Sequence, residues 1–434
     1  MLDKQLKELE YIKEQYLTKK QKLQIVKLKD ELVLAQQQFK EVLVDINTTF
    51  GKQKKHISFD VNRQNQNYLS FFNNAGKDVA IVHFLQLDDS LRIIVRTSEG
   101  EISKKILVSK KELQQNIWDV KNQFTRPDKK FISTAKKLYQ WLITPIETHL
   151  NQQGIKILLV YKKGTLRYIP LAALYDGKQF LIEKYAISHY DASLKVLNKN
   201  NKLWNIAGMG VSKQLGKFEP LPMVPFELDS IIKRDKQDAI GVFNGKIYVD
   251  EAFTQNRFKS LLNANFNIGH IATHYEFKSG TEADSFLLLG DGSKLDLATI
   301  RRDKYNFSRI ELLTLSACET AVNDRYADGR EIEGLATLVR RQGAKGVLAS
   351  LWKVADCSTG KLMQLFYQYR QQGMSKARAL RQSQLDFIQG KVAAQKVSKD
   401  QTKGCQPISG LTNSGVAYKH PYYWAPFILM GNWQ

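Results

Sequence analysis

The chain has 434 residues, 43% hydrophobic and 10% aromatic, with 65 Lys+Arg against 43 Asp+Glu and a formal net charge of +22. This composition excludes wholesale disorder, and nine prolines and three cysteines exclude collagenous, mucin-like and disulfide-stapled classes. No apolar run reaches the roughly 18 residues of a membrane span, and the charged start MLDKQLKELE has no apolar signal core, so a cytoplasmic protein with no membrane partner is expected.

Residues 1–50 read as an N-terminal helical, coiled-coil-like segment. Ile25, Leu28, Leu32, Ala35, Phe39, Val42 and Ile46 recur at steps of three and four. An earlier stripe through Leu2, Leu6, Leu9, Tyr16 and Leu23 is out of phase with it. Two packed helices or one bent helix both fit.

A second stretch covers 51–200. VAIVHFLQL, LRIIVRT and KKILV, broken at Asp88-Asp89-Ser90 and Ser98-Glu99-Gly100, predict an antiparallel meander over 79–108. Helices are expected over 110–123 and 128–150, and a buried strand at IKILLVY, 155–161.

From there to the end, 201–434, strands and helices alternate. Strands are expected at 205–211, 239–243, 266–273, 308–316, 345–351 and within 424–430. Helices are expected at 225–234, 250–263, 330–342, 357–372 and 375–389. Such alternation predicts an α/β fold with a mostly parallel sheet flanked by helices. Residues 390–420 read as one long polar loop.

The positive charge is spread as single lysines and pairs such as Lys104-Lys105, Lys129-Lys130 and Lys162-Lys163. No nucleic-acid motif accompanies it, so nucleic acid is expected only as an indirect partner, if at all. One fifty-residue block, 251–300, is net negative, with six acidic against four basic residues.

Two expected strands in the second half end on reactive side chains, at His274 and at Cys318. Ligands of open α/β sheets bind at the carboxyl ends of the strands. If these strands are neighbours and parallel, thiol and imidazole project from one edge. The imidazole then takes the thiol proton, the thiolate attacks a carbonyl, and two backbone N–H groups are needed for the oxyanion. Spacing alone does not choose between His270 and His274. Isolated cysteines are more often small buried hydrophobes, the reading given to Cys357 and Cys405. No CxxC, HExxH or P-loop spacing occurs, so neither metal nor cofactor is expected.

Several blocks resemble, in order, the CHAT family of caspase-like cysteine peptidases. They are Gly164-Thr-Leu-Arg-Tyr-Ile-Pro-Leu-Ala-Ala-Leu174, Phe180-Leu-Ile-Glu-Lys-Tyr-Ala-Ile-Ser188, His270-Ile-Ala-Thr-His274, Asp284-Ser285 and Leu315-Ser-Ala-Cys318-Glu-Thr. Gln342 to Asp356 and His420 to Trp433 complete the series. The resemblance implies a caspase-hemoglobinase-like fold, with 51–200 as a pseudo-caspase-like front half and 201–434 as the catalytic half. It implies that His274 is the base and Cys318 the nucleophile, with oxyanion donors from the backbone of Tyr275 and Cys318. Tyr275 departs from the small residue usual at its position, and its ring is positioned to narrow the site or fold over it. His189-Tyr-Asp-Ala-Ser193 lacks an expected Pro-Ser.

The function implied is a cysteine endopeptidase acting on a protein substrate, activated by a partner or by processing. The family's tetratricopeptide array is absent here, so a regulatory partner, a tetratricopeptide-repeat protein or another activator, is expected to dock through the N-terminal helices. Substrate is expected along Trp352, Lys353 and Asp356 as an added strand, with Trp424 as a second wall; plain core aromatics are the competing reading of both tryptophans. Glu276, Glu282, Asp284 and Glu319 favour a basic P1 side chain, with Asp284 at the pocket base, whereas Lys353 argues for an acidic one. Arg325 and Arg330 are then candidate self-cleavage points. The alternative is a catalytically silent caspase-like scaffold.

Overall fold

The computed structural model describes residues 18, 21, 22, 25, 70–126, 130–190, 203–235, 237–276, 285–316, 330–352, 356–392 and 418–434. The chain divides into two units, Met1–Leu69 and Ser70–Gln434. In the first, the Thr18 N–H donates to Gln21 Oε1 (3.0 Å) and Thr18 Oγ1 accepts from the Gln21 N–H (3.3 Å), a reciprocal capping pair. The remainder of the helical stripes expected over 2–50 lies outside the described residues.

The second unit opens with the expected meander, β1 (Val79–Gln86), β2 (Ser90–Thr97) and β3 (Gly100–Leu107). Along β2, Leu91, Ile93 and Val95 are buried while Arg92 faces solvent, the alternation of a half-covered strand. Helix α1 (Lys110–Phe124) starts where Ser109 accepts from the Glu112 N–H, and it buries Leu113, Ile117, Val120 and Phe124. The single helix expected over 128–150 is two helices, α2 (Ile132–Leu142) and α3 (Thr144–Gln152). Pro145 has no N–H to continue α2 but fits the first turn of α3. Then come β4 (Ile157–Tyr161), the short α4 (Leu181–Lys184) and β5 (Ala186–His189), a strand the sequence reading left out.

The second half runs β6 (Asn205–Gly210), α5 (Val224–Ile231), β7 (Ile232–Lys233), β8 (Phe243–Val249), α6 (Gln255–Asn263) and β9 (Ile268–Ala272). The strand expected at 239–243 thus lies further along, as β8. Helix α6 starts later than expected because Thr254 caps it, accepting from the Arg257 N–H. A small hairpin sheet follows, β10 (Tyr275–Glu276), β11 (Phe286–Leu288) and β12 (Lys294–Asp296), which periodicity did not reveal. The chain closes with α7 (Leu297–Arg302), β13 (Leu312–Leu315), α8 (Arg330–Arg341), β14 (Gly346–Ser350), α9 (Asp356–Gln371), α10 (Lys376–Ile388), α11 (Pro421–Trp424) and β15 (Phe427–Gly431).

Among the described residues twelve strands form one sheet in the order β3-β2-β1-β4-β5-β15-β14-β13-β9-β6-β8-β7. Pairs β1–β2, β2–β3 and β14–β15 are antiparallel and the others parallel. This is the α/β class expected, a mostly parallel sheet flanked by helices. The two halves share it: Met430 of β15 registers with His189 of β5, and Ser188 Oγ donates to the Leu429 and Gly431 carbonyls (3.3 and 3.2 Å). Strands β9, β13, β14 and β15 are buried along their whole length, as helices on both faces require. Among the described residues no helix is long and apolar enough to cross a membrane.

Candidate active site

Strands β9 and β13 are neighbours and parallel, as the sequence argument required. Ile268 registers with Leu312 and His270 with Thr314, and the Ser316 N–H donates to the Ile271 carbonyl (2.8 Å). His274 therefore leaves β9 at the same edge toward which β13 delivers Ser316, two residues before Cys318. Cys318 lies outside the described residues, as do Asp284, Lys353, Arg325, Glu282 and Glu319. Arg330 and Asp356 open α8 and α9.

His274 is buried, 5% exposed. Its Nε2 sits 2.7 Å from the carbonyl oxygen of Glu219. A carbonyl only accepts, so Nε2 carries the proton and Nδ1 is the acceptor nitrogen of the neutral ring. The ring packs on Phe218 (centroids 5.4 Å apart), which meets Phe286 edge-on at 6.2 Å.

The segment that offers Glu219 is itself tied down. Asp250, after β8, accepts from the Ser212 N–H and the Ser212 hydroxyl (both 2.7 Å) and from the Lys213 N–H (3.3 Å). It does so at φ 52°, a left-handed conformation that aspartate tolerates better than most residues. Gly290 lies against it: a Cβ there would stand 1.7 Å from the Asp250 carbonyl oxygen.

On the other side the hairpin sheet braces the histidine. Thr273 Oγ1 donates to the Leu288 carbonyl (2.7 Å), and the Leu288 N–H donates to the His274 carbonyl (2.9 Å). That makes Tyr275–Leu287 the non-hydrogen-bonded pair of the ladder, so the Tyr275 N–H points away from β11. The Tyr275 ring is buried, 3% exposed.

His270 has a different environment. It is wholly buried, with Nε2 2.9 Å from Glu227 Oε1 and Nδ1 3.1 Å from the Tyr367 hydroxyl. The latter lies 3.0 Å from Thr314 Oγ1, and burial pushes the Tyr367 phenol up.

Trp352 and Trp424 are both buried. The Trp352 N–H donates to the Tyr422 carbonyl and its ring stacks on Phe124; the Trp424 N–H donates to the Lys419 carbonyl and its ring meets Phe180 edge-on. The acidic potential expected around the dyad is partly compensated, because Glu276 pairs with Lys217 (3.1 Å). Two cavities of about 700 Å³ lie at the opposite sheet edge, lined by Lys184 and Arg381 and by Trp204 and Lys376 respectively, and neither contains a predicted site residue. Among the described residues no three His, Cys, Asp or Glu side chains converge as a metal site.

Glu219, Phe218, Asp250 and Glu227 were not singled out in the sequence. Only Glu227 left a signal: it interrupts the apolar stripe of Val224, Leu228 and Ile231 on α5.

A family model described as the CHAT domain matches residues 133–432. No curated protein matches the chain in sequence. Among solved structures it is similar to separase in the Saccharomyces cerevisiae separase–securin complex, at 10% identity and TM-score 0.44, covering 84% of this chain and 30% of that one. It is also similar to the Arg-specific cysteine proteinase gingipain R, RgpB, at 10% identity and TM-score 0.39, covering 74% and 75%. A complex of the Porphyromonas gingivalis RgpB pro- and mature domains matches at 11% identity and TM-score 0.39, covering 74% and 76%.

Proposed function

The chain belongs to the CHAT domain family, and from that premise we propose that it is a cysteine endopeptidase with His274 as base and Cys318 as nucleophile. The observation that carries this reading is the parallel β9–β13 pair, with a histidine beyond one strand whose Nε2–H is already committed to the Glu219 carbonyl.

With Nε2 donating, Nδ1 is the nitrogen that removes the Cys318 proton. The thiolate adds to the scissile carbonyl carbon, and the C=O π pair moves to oxygen. The N–H groups of Tyr275 and Cys318 stabilise that oxyanion; the outward direction of the Tyr275 N–H supports its part. Collapse expels the amine, which takes the proton from Nδ1, and leaves a thioester on Cys318. Water, deprotonated by the same nitrogen, then hydrolyses the thioester. The Glu219 carbonyl keeps the ring oriented through these steps, because it accepts from the N–H opposite the reacting nitrogen.

The substrate is a protein segment added as a strand beside Trp352, Lys353 and Asp356, with Asp284 favouring a basic P1 residue. Trp424 belongs to the wall behind it. Arg325 and Arg330 are then self-cleavage points, and activation comes from such processing or from a partner protein at the N-terminal helices.

Fluorogenic peptides with Arg, Lys, Asp or Leu at P1 test the reading. Cleavage of the Arg and Lys peptides that disappears in Cys318→Ala and His274→Ala is the expected result. Undiminished cleavage in folded Cys318→Ala overturns the assignment, and preference for Asp overturns the basic P1.

A further inference from the structure

Glu227 is 1% exposed, in the middle of the apolar face of α5. Burying a carboxylate is costly unless donors replace its water. Here they come from two adjacent strands: His270 Nε2 on β9 at 2.9 Å, and the Ser316 hydroxyl just beyond β13, both on the single oxygen Oε1.

The proton directions form one consistent chain. Glu227 Oε1 accepts from His270 Nε2–H. In the neutral form of the His270 ring, Nδ1 then accepts from the Tyr367 O–H, and the Thr314 hydroxyl donates to the Tyr367 oxygen. His270, Thr314 and Tyr367 are 0% exposed, so the five side chains form a polar knot with little access to solvent.

Its position is the informative part. Four elements meet at it: α5, β9, β13 and α9. Helix α5 follows the segment whose Glu219 carbonyl holds His274. His270 lies four positions before His274, and Ser316 two positions before Cys318. Helix α9 packs against α5 at this residue, with Gly360 positioned so that an added Cβ would stand 3.6 Å from Glu227 Cβ.

We propose that Glu227 is a positioning residue for the dyad, its one carboxylate oxygen locking β9 to β13 where the two strands release His274 and Cys318; this rests on the peptidase reading above. The role is distinct from the chemistry, since Glu227 touches neither His274 nor, in this role, the substrate. A shift of about 1 Å between base and nucleophile is enough to lower a rate by about a hundredfold. A buried carboxylate holding two strands through charge-assisted bonds resists such a shift better than neutral contacts do.

The rate of Cys318 carbamidomethylation by iodoacetamide, followed by peptide mass spectrometry, tests this without a known substrate. Wild type, His274→Ala, Glu227→Gln, Ser316→Ala and the Glu227→Gln/Ser316→Ala double variant are compared, each shown to be folded by a thermal melt. Ser316→Ala removes one hydroxyl and keeps the measurement available if Glu227→Gln does not fold. The proposal expects a His274-dependent rate in wild type, at least tenfold slower in Glu227→Gln and at least threefold slower in Ser316→Ala. The double variant should be no slower than Glu227→Gln alone. A merely stabilising role would lower the melting temperature and leave the rate of the folded protein unchanged. Wild-type rates in folded Ser316→Ala and Glu227→Gln, or in Ser316→Ala alone where Glu227→Gln does not fold, overturn the inference while the dyad stands. A wild-type rate no faster than that of His274→Ala overturns both.

Discussion

The Nε2 of His274 and the carbonyl oxygen of Glu219 are 2.7 Å apart, and this one contact fixes which nitrogen of the ring faces outward. Because the acceptor is backbone, the Glu219 side chain is dispensable for it. Glu219→Ala should leave the kcat of the proposed peptidase activity within about twofold. Phe218→Ala, which removes the ring packed on His274, should lower kcat at least tenfold and destabilise the fold by about 2–4 kcal/mol. Steady-state kinetics and urea titration separate the two effects.

Asp250 satisfies three donors of the segment that leads to Glu219. Asp250→Ala removes those acceptors and places alanine at φ 52°. The expected loss is about 2–4 kcal/mol, with a fall in kcat from the released Glu219 carbonyl. Asp250→Asn keeps one acceptor oxygen and tolerates the same backbone, so it should lose less than half as much. Chemical denaturation of the three proteins gives the ranking.

Gly290→Ala tests the other brace. Its Cβ would meet the Asp250 carbonyl oxygen at 1.7 Å, a clash with backbone that no rotamer change relieves. It should destabilise by more than about 3 kcal/mol. Gly292, with open space around its Cβ position but φ 80°, should lose only about 1 kcal/mol on substitution by alanine. Melting temperatures of the two variants compare the costs directly.

His189 ends β5 in the sheet core, where burial and then the nearby Lys162 charge hold its imidazole well below the ordinary value. The unfolded imidazole binds a proton below about pH 6.5 and the folded one resists it. The unfolded state therefore binds more protons, and stability falls as pH drops below that point. Between pH 6.5 and 5 wild type should lose about 2 kcal/mol more than His189→Phe. Urea midpoints at the two pH values provide the comparison.

Lys376, at the start of α10, is 3% exposed and pushed down to about 7, chiefly by burial and next by Arg370. Above that value the folded amine is neutral while the unfolded one stays charged to about 10.5. Again the unfolded state binds more protons, so stability rises with pH through this window. From pH 7 to 9.5 wild type should gain about 3 kcal/mol relative to Lys376→Met. A flat difference between the two proteins would refute the shift.

The sequence alone determined the α/β class, because strand and helix periods are local properties of neighbouring side chains. It also carried the family resemblance, and with it the choice of His274 over His270. Where local chemistry was subtler, boundaries moved: Pro145 divided one expected helix, and Thr254 delayed another. The hairpin β10–β11–β12 escaped because strands of two or three residues carry almost no periodicity. Only the tertiary structure decided that β9 and β13 are parallel neighbours, since pairing joins residues more than forty positions apart. It alone revealed the Glu219 carbonyl on His274, because every residue has a carbonyl and none announces its partner. Glu227 stands between these cases. Its place in an apolar stripe was visible in the sequence, but the two donors that make a buried carboxylate tolerable come from distant strands, and only folding brings them to it.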